Sequence, residues 1–176
     1  MINGLSQDAI EQLISTDEWL DMLGVKTTKS LATRDVKARP GSRTGSDVLN
    51  TISSLGPLAF EEAVKSVFTK LGFTNVRTTK QSHDGGIDIV GYRRSITGNE
   101  KVIAQCKRMD RVGVEVAREL LGVIAADQSV AKAFLVTSGT VSPECRAFCE
   151  RDGRLSVIEG STLATYIVQF GVALET

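Results

Sequence analysis

Two β-branched runs, residues 87–92 (IDIVGY) and 102–106 (VIAQC), each carry a group that a buried strand should exclude. Asp88 lies between Ile87 and Ile89, where an unpaired carboxylate costs several kcal/mol, so a cation or strong donors must stand close to it. Gln105 and Lys107 can supply part of that. The segment between the runs, Ser95-Ile96-Thr97-Gly98-Asn99, has hairpin turn chemistry. A turn centred between Thr97 and Gly98 sets Asp88 opposite Lys107. Side chains alternate along a strand, so Gln105 and Lys107 share a face and Asp88 joins them, whereas a one-residue slip of the turn breaks the arrangement.

The rest of the chain puts this hairpin in an α/β context. Phe60, Val64, Val67, Phe68 and Leu71 recur on one face of a helix over 58–71 that stops at Gly72. A strand over 74–78, a helix over 112–127 and a strand over 133–136 follow. Ser142-Pro143-Glu144 reads as N-cap, N1 and N2 of another helix, then come a strand over 155–158 and a helix over 162–170. The order indicates a mixed central sheet flanked by helices. At 176 residues and 41% apolar, the chain suits one such domain with a real core, placed at 48–176.

Taken alone, the formal net charge of zero argues against nucleic acid, but it is a cancellation of blocks. Residues 1–25 hold Asp8, Glu11, Asp17, Glu18 and Asp21 and no base, with Ile10, Leu13, Ile14, Leu20 and Leu23 at helical spacing. They read as a short amphipathic helix that either folds back on the domain or docks a partner protein or second copy. Residues 26–47 read as a basic, flexible linker: over 26–46 it sets Lys26, Lys29, Arg34, Lys37, Arg39 and Arg43 against Asp35, with Pro40-Gly41 and Gly45-Ser46. If the acidic helix covers basic surface, deleting residues 1–25 tightens binding to DNA. No apolar run reaches the length of a membrane span and no leader pattern opens the chain. Cys106, Cys145 and Cys149 form no paired motif, so buried or half-buried thiols in a reducing cytoplasm are expected.

The hairpin is where chemistry concentrates. Asp88, the Gln105 side-chain carbonyl and the Cys106 backbone carbonyl make a sparse set of hard oxygen ligands suited to Mg2+, with Mn2+ as a substitute. Glu61 or Glu62, just inside the helix over 58–71, can add a third side-chain oxygen. Such a cation acidifies water and offsets charge on a phosphodiester, while Lys107 orients the nucleophile or balances phosphoryl charge. Arg93, Arg94, Lys101, Arg108 and Arg111 cluster at the hairpin turn and strand exit as candidate phosphate contacts. Plainer readings stand beside these. Asp88 and Lys107 form a structural ion pair, Glu61 answers a helix dipole, and Gln105 bonds a sheet edge. Asp84 forms a turn with His83 exposed beside it, and Thr137-Ser138 either donates to phosphate or opens a loop. No Walker motif, GxGxxG or zinc-deaminase pattern occurs.

Asp88 with Gln105-Cys106-Lys107 resembles the D…(D/E/Q)xK signature of the PD-(D/E)XK nuclease superfamily. The ordered set of Phe60-Glu61, Leu71-Gly72-Phe73, Asp84-Gly85-Gly86-Ile87-Asp88, Gln105-Cys106-Lys107-Arg108, Glu119-Leu120-Leu121-Gly122 and Val136-Thr137-Ser138-Gly139 resembles the Mrr-type restriction endonuclease catalytic domain over about residues 55–170. The resemblance implies a restriction-endonuclease-like three-layer fold and divalent-metal-dependent DNA cleavage in defence. It implies catalytic roles for Asp88 and Lys107, with Gln105 where many superfamily members have Glu. One such site cuts one strand, so a duplex break implies a homodimer or a second encounter. The other reading is a catalytically silent DNA-binding or assembly subunit.

Overall fold

The computed structural model describes residues 44–79, 86–95 and 98–174. The N-terminal helix, the linker up to Arg43, His83 and Asp84 lie outside the described residues.

The described chain opens with α1 (Gly45–Ser54), where Thr44 forms a capping box. Its hydroxyl accepts from the Asp47 N–H at 3.2 Å, and its own N–H donates to Asp47 Oδ2 at 3.1 Å. This helix takes the last residues of the stretch read as linker, and its buried face is only Val48 and Ile52. After Leu55-Gly56 comes α2 (Pro57–Lys70), with Pro57 in the first turn, where a missing N–H costs nothing. Phe60, Glu61, Ala63, Val64, Val67 and Phe68 are its buried residues.

A five-stranded sheet follows in the order β1-β2-β3-β5-β7, formed by β1 (Thr74–Thr78), β2 (Ile89–Ser95), β3 (Gly98–Lys107), β5 (Val130–Thr137) and β7 (Leu155–Ile158). β1, β2 and β3 are antiparallel, and β3, β5 and β7 are parallel, as the helical crossovers α3 (Val114–Ala126) and α4 (Pro143–Arg151) require. A last helix, α5 (Gly160–Phe170), ends at Gly171, whose φ of 61° suits glycine. The sequence reading of a mixed sheet between helices therefore holds. It did not anticipate α1 or the two-residue ladder of β4 (Arg111–Val112) with β6 (Thr140–Val141).

Two cores lie on the two faces of the sheet. Ile89, Val102, Ala104, Phe134 and Val136 pack with α1, α2 and α5, where Phe68 meets Phe73 and Phe134 at ring centroid distances of 5.2 and 5.1 Å. Val90, Ile103, Ala133 and Leu135 pack with α3 and α4, including the buried thiols of Cys145 and Cys149. This is a three-layer arrangement. β1 forms one margin of the sheet. Its register shifts between Thr74 and Arg77, where Asn75 adopts a φ of 51°.

Near the C-terminal ends of β3 and β5 the backbone is closely packed. The Gly160 N–H donates to the Gly139 carbonyl at 2.9 Å, and a Cβ on Gly160 would stand 2.0 Å from the Ser138 carbonyl oxygen. Thr137 Oγ1 donates to the Met109 carbonyl at 3.2 Å. Thr137 and Ser138 are buried, so they join strand ends and do not offer hydroxyls to phosphate.

Candidate active site

Register decides which side chains meet at the hairpin. Ser95 pairs with Gly98 and Ile89 with Ala104, and the Asp88 N–H, beyond the last pair, donates to the carbonyl of that same Ala104 at 2.9 Å. The paired strands run two residues short of the expected register, and Asp88 and Ile89 both face Ala104, so Asp88 does not stand opposite Lys107. The expected common face is not kept: Asp88 and Lys107 line one cavity, and Gln105 is not part of its lining. On the other side, the Thr79 N–H donates to the Asp88 carbonyl at 2.8 Å, so its backbone is held by both neighbours.

The Asp88 carboxylate turns toward α2, and its Oδ2 accepts from the Cys106 N–H at 2.6 Å. Asp88, Glu61, Gly86, Cys106, Lys107, Arg108, Pro57 and Phe60 line one cavity of about 470 Å3. Of the two acids offered by the sequence, Glu61 is the buried one, at 7% exposure, whereas Glu62 is exposed and paired with Lys65 at 2.7 Å. Burial and then the Asp88 charge push the Glu61 carboxyl above its ordinary value. Burial raises Asp88 as well, against the opposing effects of the Cys106 N–H and Lys107. Asp88 and Lys107 do not make a direct ion pair, so the structural-pair reading lacks its contact. Burial, Asp88 and Glu61 together hold the Cys106 thiol well above its usual range, so it is neutral.

Gln105 does not line the cavity. It lies beneath Gly86, at 2% exposure, and a Cβ on Gly86 would come within 2.4 Å of its Nε2. Its Oε1 is buried with no hydrogen-bond partner. An orphaned buried carbonyl on the strand that also carries Cys106 and Lys107 is a fit for a hard cation. No group of three or more His, Cys, Asp or Glu that could hold a metal occurs among the described residues, so any cation here keeps much of its water.

The basic residues divide into two groups, one toward the hairpin turn and one at the strand exit. Arg93 Nε donates to Glu100 at 3.0 Å, and Lys101 bonds Asp127 at 2.7 Å, helping to hold that carboxyl down to about 2. These two and the exposed Arg94 lie toward the turn. From Lys101 to Lys107 is six residues, roughly 20 Å of strand. Arg108 alone of the five lines the cavity, and Arg111 is exposed at the start of β4. Sequence reasoning missed Pro57 and Phe60 as cavity walls and Gly86 as the cover on Gln105. The Gly85-Gly86 pair was the available signal for the last.

The fold is a mixed sheet between helical layers. Two solved structures share it. One is the DNA modification-dependent restriction endonuclease AspBHI (TM-score 0.58, 18% identity, 96% of this chain and 46% of that one). The other is the restriction endonuclease MspJI in complex with a 27-mer oligonucleotide (TM-score 0.52, 20% identity, 77% of this chain and 36% of that one). At these identities the likeness is one of fold, and the chain spans less than half the length of either. The chain belongs to the Mrr_cat family of restriction endonucleases, whose model matches residues 52–167. No curated protein matches it. No helix among the described residues is long and apolar enough to cross a membrane.

Proposed function

We propose that the chain is a divalent-metal-dependent DNA endonuclease acting in restriction, with Asp88, Glu61, Gln105 and Lys107 as its working residues. The observation that carries this is the cavity lined by Glu61, Asp88 and Lys107, with the orphaned Gln105 carbonyl on the strand that carries Lys107. Asp88, Glu61, Gln105 Oε1 and the Cys106 carbonyl would hold a Mg2+ or Mn2+. When bound, that ion supplies acidified water and charge neutralisation at a phosphodiester.

The remaining work falls to the chain itself. The Cys106 N–H fixes the Asp88 carboxylate, so its position does not depend on side-chain rotamer alone. Lys107, a point charge on a flexible stem, orients the attacking water and offsets charge building on the phosphate. Arg108 adds a cation at the cavity wall for the DNA backbone, and Arg111 a second beyond it. A foreign-DNA substrate, a cytoplasmic setting and a paired assembly for cutting both strands complete the reading.

Plasmid nicking with Mg2+ or Mn2+ tests it, comparing the parent with Asp88→Ala and Lys107→Ala. Cutting by the parent and loss in both variants is the expected result. If either variant cuts at the parent rate, the mechanism is wrong. DNA binding without cutting under every metal would instead support a silent subunit.

A further inference from the structure

Arg108 follows Lys107 directly, at the exit of β3. Its Nη1 donates to the Leu55 carbonyl at 2.5 Å, across 53 residues of sequence. Leu55 is the buried C-cap of α1, and two residues later Pro57 opens α2, the helix that presents Glu61. No side chain caps the start of α2: its N-cap is Gly56, which cannot bond the first turn.

We propose that Arg108 is a positioning residue, strapping the start of the Glu61 helix to the strand that carries Cys106 and Lys107 and so setting where Glu61 stands relative to Asp88. The proposal rests on the nuclease reading only for what that spacing serves, which is holding the divalent cation.

Two features favour a strap over a simple phosphate contact. Glu61 and Asp88 carry like charge in one cavity and push each other apart, and beside the core packing of Leu55, Phe60 and Val64 the Arg108 bond is the polar tie at the Leu55-Gly56 junction. The bond is also directional. A guanidinium fork presents five N–H groups in fixed geometry, so one can hold the Leu55 carbonyl while others remain for a phosphate. A lysine reaching the same carbonyl keeps the charge and gives up the fork.

The test compares the parent with Arg108→Ala, Arg108→Gln and Arg108→Lys, first without DNA. Amide hydrogen exchange over residues 55–61 should quicken in Arg108→Ala and Arg108→Gln, and Mn2+ affinity by titration should fall about tenfold, the scale of one lost hydrogen bond to a charged group. Arg108→Lys should restore part of both. In cleavage, kcat should fall more than KM for DNA rises. Unchanged exchange over 55–61 in Arg108→Gln overturns the strap, and so does a defect confined to KM with Mn2+ binding intact. If Arg108→Ala does not fold, Arg108→Gln and Arg108→Lys carry the comparison. If the parent neither binds Mn2+ nor cuts, the nuclease reading fails, while the exchange data still decide whether Arg108 holds α2.

Discussion

The Asp88 carboxylate accepts a hydrogen bond from the Cys106 backbone N–H at 2.6 Å, so the acid on β2's approach is fixed by the residue between Gln105 and Lys107. An Asn at 88 can still accept that bond through its amide oxygen, whereas an Ala leaves the N–H without a partner. Asp88→Asn should therefore melt close to the parent and Asp88→Ala less stably than Asp88→Asn, by about 1 kcal/mol. Both should lose cutting. Equal urea midpoints for the two variants would show that the bond contributes nothing to stability.

Glu61→Gln should unfold at higher urea than the parent at pH 7.5 when no metal is added. The folded protein raises the Glu61 carboxyl above its ordinary value through burial and the Asp88 charge. The folded state then holds the proton more tightly than the unfolded state. The contribution of Glu61 to stability is thus fully present below the ordinary carboxylate range and is lost as pH rises through the raised value. The difference between variant and parent should shrink toward zero at about pH 4, near the unfolded carboxyl. Mn2+ binding should weaken in the same variant. A parent as stable as Glu61→Gln at pH 7.5 would refute the strain.

Gln105 and Gly86 form a second such trade. Replacing the amide by an apolar chain of similar length, Gln105→Met, removes an orphaned buried oxygen and should leave stability unchanged or raise it by about 1–3 kcal/mol, at the expense of metal affinity. Gly86→Ala should go the other way. With φ at 80° and a Cβ 2.4 Å from Gln105 Nε2, it should cost about 1 kcal/mol or more and displace the amide. Calorimetry and Mn2+ titration read both.

The three thiols should resist alkylation in the folded protein at pH 8. Burial is the leading cause at each: Cys106 is well above the usual thiol range, Cys145 is raised, and Cys149 is pushed up to about 12. Mass spectrometry after iodoacetamide should find full labelling only in denaturant. Rapid labelling of Cys106 in the fold would contradict its place between the two acids.

The parts of this molecule legible in its sequence were those with a local signature. The strands at Thr74–Thr78 and Leu155–Ile158, and Ser142-Pro143 at the start of α4, follow from alternation and capping rules. α1 was not read, because Val48 and Ile52 give its buried face too few apolar positions among serines and threonines, and its capping box uses Asp47 in place of the usual Glu or Gln. The hairpin register came out two residues off because turn chemistry around residues 95–99 admits neighbouring centres with the same strand parity. Choosing Glu61 over Glu62 needed the docking of α2, a tertiary fact. Arg93 and Lys101 looked like a basic rim because their partners, Glu100 across the hairpin and Asp127 after α3, are invisible until the sheet is assembled.

The irregular margin at β1 bears on how two molecules could come together. A straight outer strand would offer its unpaired backbone groups to a neighbour, and two such sheets would fuse edge to edge. The register shift between Thr74 and Arg77 and the left-handed Asn75 interrupt that template, and at the opposite margin β7 is only four residues long. If the proposed nuclease pairs to cut both strands, the described sheet margins favour contact through helices and loops over fusion edge to edge.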